Sequence, residues 1–156
     1  MEEKNKQAKR VNIVVIKIVK EASIMYKPRS VSSPQDAVDI VRQFLEDEDR
    51  EKVIAVYLNT KNEPTAIHTI SVGSLNSSIV HQREVMKGAI LSNANSLIIA
   101  HNHPSSLEEA PYPSNEDIKI TQRIKDAGNI LGINLTDHII IGGRNFYYSF
   151  KEGNLL

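Results

Sequence analysis

Ser96-Leu-Ile-Ile-Ala-His-Asn-His103 is the stretch that decides how this chain folds and what it can do. A short apolar run ends in two histidines spaced i, i+2. Successive side chains of an extended strand alternate between faces, so His101 and His103 point the same way. Two imidazoles side by side at a strand end are placed to hold a metal ion. Pro104 then stops the strand and turns the chain into a loop. Fourteen residues after His103, Ser114-Asn-Glu-Asp117 puts a carboxylate at an expected helix start. Two histidines and one aspartate leave a tetrahedral zinc one ligand short, with the fourth place open to water, as in catalytic rather than structural sites.

Each part of this pattern also has an ordinary reading. One histidine on an apolar strand is commonly a core or surface residue with no ligand. Ser114-x-x-Asp117 before an apolar helix is a capping box by sequence. The two readings of Asp117 are compatible, because a carboxylate in the first turn of a helix is electrostatically favoured there.

The surrounding sequence supplies a scaffold. From Ser114 a helix is predicted through Ile120, Ile124, Ala127 and Leu131, with Gly132 as its stop. Residues 133–141 and 144–150 read as two strands around Gly142-Gly143. Upstream, residues 82–94 carry Val85, Met86, Ala89 and Ile90 on one helical face, and residues 73–78 form a loop. Residues 53–59 and 65–72 read as a hairpin turning through Thr60 to Pro64. Ser33-Pro34-Gln35-Asp36 starts a helix: Ser33 caps, Pro34 fits the first turn and Asp36 occupies the capping-box position. Ala37, Val38, Val41, Phe44 and Leu45 follow at helical spacing, and the charged run Glu46 to Lys52 closes it as a solvated turn. Residues 11–20, VNIVVIKIVK, are rich in β-branched residues and are predicted as a strand. Residues 1–10 form a charged, flexible tail. The order strand, helix, strand, strand, helix, strand, helix, strand, strand predicts a single α/β sandwich with a mixed β-sheet and packed helices.

Composition narrows the classes. The 156 residues suffice for one domain with a core. Lys plus Arg equals Asp plus Glu at 19 each, so there is no global attraction to nucleic acid or to an anionic membrane. The chain has no cysteine, which removes disulfides and thiolate-bound zinc and leaves His, Asp and Glu as metal ligands. No apolar run approaches the roughly 20 residues of a membrane span, and Met1 to Arg10 lacks the apolar segment of a secretory signal. The expected location is the cytoplasm. Glycine-loop phosphate binding is not indicated, because Gly142-Gly143 lies between strands. Tyr147-Tyr148-Ser149-Phe150 lacks interleaved basic residues and reads as a closing strand rather than a base-stacking surface.

Hydrolysis at a metal would need one more group to carry a proton. Glu51, Glu63 and Glu84 are the upstream candidates. Glu51 opens the strand 53–59, Glu63 sits in a turn and Glu84 in a helix, and residue physics leaves the choice open. His68 reads as structural or exposed, His81 as a helix-start residue, and His138 as a strand residue whose imidazole bonds within the fold.

The pattern Glu…His-x-His-Pro…Ser-x-x-Asp resembles the JAMM (MPN-domain) metallopeptidases. The flanking text resembles the RadC family more closely still: Asn-Thr-Lys-Asn at 59–62, Val-Gly-Ser-Leu-Asn-Ser-Ser-Ile-Val-His at 72–81, Arg-Glu-Val at 83–85, His-Asn-His-Pro-Ser at 101–105, Pro-Ser-Asn-Glu-Asp at 113–117 and Asp-His-Ile-Ile-Ile-Gly at 137–142. The resemblance runs over residues 11–156 and covers the catalytic-type domain alone, without the helix-hairpin-helix segment that precedes it in full-length members. It implies a cytidine-deaminase-like/JAMM α/β sandwich. It also implies zinc ligation by His101, His103 and Asp117, oxyanion stabilisation by Ser114, and a general acid/base role for Glu51. The implied activity is zinc-dependent hydrolysis of a peptide or isopeptide bond in a peptide or protein substrate. The alternatives are a non-catalytic MPN-type interaction module and a DNA-repair accessory protein, the latter without support from charge. An exposed sheet edge would let two chains pair as a homodimer, although no motif requires it. One departure stands out. Thirteen residues, Pro104 to Glu116, separate His103 from Asp117 where the family pattern has ten. A surface insertion of this size costs little, so the site is expected to survive with a reshaped rim. Glu108 and Glu109 are expected in a solvated loop rather than over the metal.

Overall fold

The computed structural model describes residues 8–73, 80–106, 108–143 and 145–156. Three helices, α1 (Pro34–Leu45), α2 (Gln82–Leu91) and α3 (Asn115–Leu131), alternate with five strands, β1 (Lys52–Leu58), β2 (Pro64–Val72), β3 (Ser96–Asn102), β4 (Asn134–Ile141) and β5 (Tyr147–Ser149). The strands form one mixed sheet in the order β2-β1-β3-β4-β5. Neighbours are antiparallel except β3 and β4, which are parallel. A parallel pair needs a crossover, and α3 supplies it. This one connection carries the chain from the histidine end of β3 back over the sheet.

β3 is central and buried along its whole length, as expected of a strand covered on both faces. Ile54, Val56 and Leu58 of β1, Ile98 and Ala100 of β3 and Ile139 of β4 meet Ala37, Val38, Ile40, Val41 and Leu45 of α1 on one face. On the other, Val53, Ala55, Tyr57, Leu97 and Ile99 meet Val85, Met86 and Ala89 of α2 and Ile124 of α3. The result is a sheet between α1 and the α2/α3 pair.

Both N-terminal signals of the helices form as read. Ser33 Oγ accepts from Asp36 N at 3.2 Å, and Asp36 Oδ2 accepts from Ser33 N at 3.0 Å. Ser114 and Asp117 make the same reciprocal pair on α3. At the far end of α3, Gly132 adopts φ 70°, a left-handed value that suits glycine.

Three elements differ from the sequence expectation, and one of them, β5, covers only Tyr147–Ser149 of the expected 144–150. Residues 11–20 form no strand. Val11, Ile13, Val14, Val15 and Ile16 are exposed, Ile13 fully so at 101%. β-branched residues favour an extended backbone, but a strand exists only where a neighbour offers its N–H and C=O groups, and neither sheet edge pairs with this segment. α2 ends at Leu91, not 94: the Ser92 hydroxyl bonds Gly88 O at 2.8 Å, and Asn93 takes a left-handed φ of 53°. The expected tail over residues 1–7 and most of the expected 73–78 loop lie outside the described residues.

Serine at both Ile13 and Val15 should leave the unfolding free energy from urea titration within about 0.5 kcal/mol of the parent, because neither side chain is buried. Ile98→Ala, in the centre of the sheet, should cost about 2–5 kcal/mol. A large loss from the first pair would show that residues 11–20 find a partner in solution.

Candidate metal centre

The site is built where the last turn of a strand meets the first turn of a helix. In the antiparallel register Val53 sits opposite His101, and in the parallel one Ile99 sits beside His138. Period-two alternation then places Glu51, Val53, Ile99, His101 and His138 on one sheet face, the face covered by α2 and α3. The chain leaves β3 at Asn102, and His103 is tied to the next strand by its N–H, which donates to Ile141 O at 2.9 Å. α3 begins above this point, and its third residue is Asp117.

The three residues expected as ligands converge. His101 Nε2 lies 3.1 Å from His103 Nε2 and 3.3 Å from Asp117 Oδ1, and His103 Nε2 lies 3.6 Å from Asp117 Oδ2. His101 and Asp117 are buried, and His103 is half-buried. Asp117 Oδ2 accepts from Ser114 N and from Ser114 Oγ, both at 2.8 Å. Oδ1 is thereby left facing His101. Burial pushes the Asp117 carboxyl pKa up, but the His103 hydrogen bond and the Ser114 bonds outweigh it and hold the group well below the usual range.

Behind His101 is a second pair of groups. His101 Nδ1 is 2.8 Å from His138 Nε2, and His138 Nδ1 is 2.6 Å from Thr121 Oγ1. The Thr121 hydroxyl donates to Asp117 O at 2.6 Å. His138 also stacks on Phe150, ring centroids 4.5 Å apart and 10° from parallel. Burial lowers the His101 pKa to about 4 and pushes His138 well below its ordinary value, so both rings are neutral at pH 7.

In front of the cluster is a cleft of about 230 Å³, walled by Val53, Val80, Ile99 and Ile120 and edged by Glu51, His101, Ser114 and Asp117. Glu51 is half-buried, and its pKa is raised mainly by that burial, with the His103 charge opposing and the Asp117 charge adding. The other two glutamates are elsewhere. Glu63 pairs with Arg29 at 2.6 Å at the opposite end of β1, and Glu84 pairs with Lys87 at 2.7 Å on α2. Of the three, only Glu51 shares the cleft with the cluster.

His68 and His81 lie outside this cluster. His68 Nδ1 is 3.3 Å from the Tyr57 hydroxyl. His81 stands at the N-cap of α2 without a side-chain cap bond. Glu108 and Glu109 are exposed, and neither joins the metal-ligand group. Thr121 was not singled out from the sequence. Its signal was its place one turn beyond Asp117, on the same face of α3.

A family model for the RadC-like JAB domain matches residues 31–155. The chain belongs to this RadC-like JAB domain family. It is similar to a UPF0758 protein of Desulfitobacterium hafniense, 50% identical over 126 residues, covering 81% of this chain and 54% of the relative. It is also similar to a UPF0758 protein of Rubrobacter xylanophilus, 42% identical over 146 residues, covering 92% and 62% respectively. A third, from Methanosarcina mazei, is 45% identical over 125 residues, covering 80% and 52%. The chain thus spans about half the length of the curated relatives it matches. Among the described residues no helix is long and apolar enough to cross a membrane.

The depressed histidines make a pH prediction. His101 binds its proton less readily folded than unfolded, so its contribution is fully present above about pH 6.5 and is lost as pH falls toward 4. His138 acts in the same direction. The urea midpoint of metal-free protein should therefore fall steadily from pH 7 to pH 4, and His101→Gln should flatten the slope. A wild-type midpoint that does not move between pH 7 and 5 would mean that the rings are hydrated.

Proposed function

We propose that this domain is a zinc-dependent hydrolase of peptide or isopeptide bonds. The observation that carries the reading is the convergence of one donor atom each from His101, His103 and Asp117, all within 4.8 Å of one another, at a cleft that also holds Glu51. The donor set fits zinc. Bonds of about 2.0–2.2 Å to a tetrahedral ion imply ligand-to-ligand edges of about 3.3–3.6 Å; the two imidazole nitrogens stand 3.1 Å apart, and they approach different oxygens of Asp117, His101 Nε2 at 3.3 Å from Oδ1 and His103 Nε2 at 3.6 Å from Oδ2. Nitrogen and carboxylate donors suit that ion, and three of them leave one position open.

When bound, zinc on these three residues supplies Lewis acidity toward an amide carbonyl and acidifies water toward a pKa of about 7. The remaining chemistry belongs to the chain. Glu51 takes the proton of the attacking water on its carboxylate and returns it to the leaving amine. Its raised pKa suits both halves of that transfer. Ser114 Oγ edges the same cleft. Its hydroxyl can turn from Asp117 Oδ2 toward a developing oxyanion, because the Ser114 N–H still holds that oxygen. The apolar wall formed by Val53, Val80, Ile99 and Ile120 limits water around the reacting amide. A cleft of about 230 Å³ accepts one amide and a small flanking side chain, so the rest of a peptide or protein substrate would lie along the surface.

Metal content by mass spectrometry of tag-free protein tests the reading. The wild type should carry about one zinc per chain and Asp117→Ala none. Glu51→Gln should keep the zinc and the fold while losing about 10²- to 10⁴-fold of hydrolysis in a peptide and isopeptide screen. A folded wild type that takes up no zinc would instead mark a non-catalytic interaction module, with Ser114-x-x-Asp117 serving only as a helix cap.

A further inference from the structure

The hydrogen bonds behind His101 form one chain, and the Thr121 hydroxyl sets its direction. Asp117 O is a carbonyl and accepts, so the single proton of the Thr121 hydroxyl goes to it across 2.6 Å. With its hydrogen kept on Asp117 O, Thr121 Oγ1 has only lone pairs to offer His138 Nδ1, also at 2.6 Å, and that nitrogen then carries the hydrogen. A neutral His138 with its hydrogen on Nδ1 presents a lone pair at Nε2. His101 Nδ1, 2.8 Å away, must donate to it. His101 Nε2 is left as a lone pair, and it is this atom that faces His103 Nε2 and Asp117 Oδ1.

We infer that Thr121 and His138 are positioning residues that lock His101 in the tautomer able to ligate a metal through Nε2. The inference rests on the metal site proposed above and adds how the protein prepares it. The relay starts at the backbone of Asp117 and ends at the ring facing the Asp117 carboxylate, so one turn of α3 sets both a ligand and the tautomer of its neighbour. Phe150 fixes the plane of the His138 ring by stacking. Thr121, His138 and Phe150 are all buried, so water does not compete for these bonds. Partners of this kind, one bond beyond the ligands, tune affinity by fixing ligand orientation and basicity. His138 is therefore not a fourth ligand: its Nε2 is occupied by His101.

Two measurements test the relay. Long-range ¹⁵N–¹H spectra of the chelator-stripped wild type at pH 7.5 report which nitrogen of each imidazole holds the proton, and His101 and His138 should both be protonated on Nδ1. This arm needs no variant, so it stands even if a substitution fails to fold. Competition titrations with Co²⁺ then read affinity. His138→Phe, which keeps the stack on Phe150, should bind about 10- to 100-fold more weakly than wild type. His138→Gln, whose amide oxygen can accept from His101 Nδ1, should recover most of that loss. Thr121→Val should fall between the two, because it frees His138 to take the wrong tautomer. A purely structural role for His138 would predict the reverse order for Phe and Gln. The relay is overturned if wild-type His101 carries its proton on Nε2, or if folded His138→Phe binds Co²⁺ like the wild type. A wild type that binds no Co²⁺ would sink the metal reading itself and the relay's purpose with it.

Discussion

A single carboxylate joins the start of α3 to the end of β3. Asp117 Oδ2 closes the helix N-terminus by accepting from Ser114 N and Oγ, while Oδ1 stands 3.3 Å from His101 Nε2. A buried charge is costly unless its hydrogen bonds are complete. Here the cap supplies them, and the positive end of the helix adds to it. The ordinary worth of such a cap is about 1 kcal/mol. That is small beside the core, but it decides where the carboxylate points. The parallel β3–β4 pair requires a crossover, the crossover is α3, and the capping box then aims the first turn of α3 at the histidines.

The polar cluster is set into an otherwise apolar face. Val53 and Ile99 of that core line the cleft beside it, and His101, Asp117, Thr121 and His138 are all buried. Three imidazoles and a carboxylate in one place are a poor choice for stability alone, since apolar residues of similar volume would pack without desolvation cost. The low pKa values of His101 and His138 express that cost. Local rules of this kind are commonly broken where a site has work to do. The surrounding contacts hold the groups in place: β1 and β4 flank β3 along its length, and Phe150 covers His138.

What could be read from the sequence was what depends on near neighbours. The i, i+2 histidines needed only strand alternation, and Ser33, Asp36, Ser114 and Asp117 needed only capping geometry. The same residues that resemble the JAMM pattern also carry the local physics, so the two readings agreed on the ligand set. Glu51 was different. Residue physics left it level with Glu63 and Glu84, the resemblance chose it, and the pairing of Val53 with His101 is what brings it to the cleft. His138 and Thr121 could not be linked from sequence, because their bonds to His101 and to each other span 37 and 17 residues. The failed strand at 11–20 shows the opposite limit. Its β-branched residues report backbone preference correctly enough, but pairing is a property of the sheet, and the sheet is complete without it.

The longer connection between His103 and Asp117 can be understood in the same terms. Its two ends are fixed independently of its length. At one end His103 N bonds Ile141 O at 2.9 Å and Ser106 N bonds His103 O at 3.0 Å; at the other, Ser114 caps α3. Between them the chain folds back on the β4–β5 turn. Gly143 N donates to Ser106 O at 2.7 Å, and Pro111 comes so close to Gly142 that a β-carbon there would sit 2.9 Å from its ring. Tyr112 and Tyr148 meet with ring centroids 5.8 Å apart. None of the described residues from 104 to 113 lines the cleft. The added length is therefore taken up against the β4–β5 turn, and the donor groups of His101, His103 and Asp117 keep their spacing because the strand end and the helix cap, not the loop, set it.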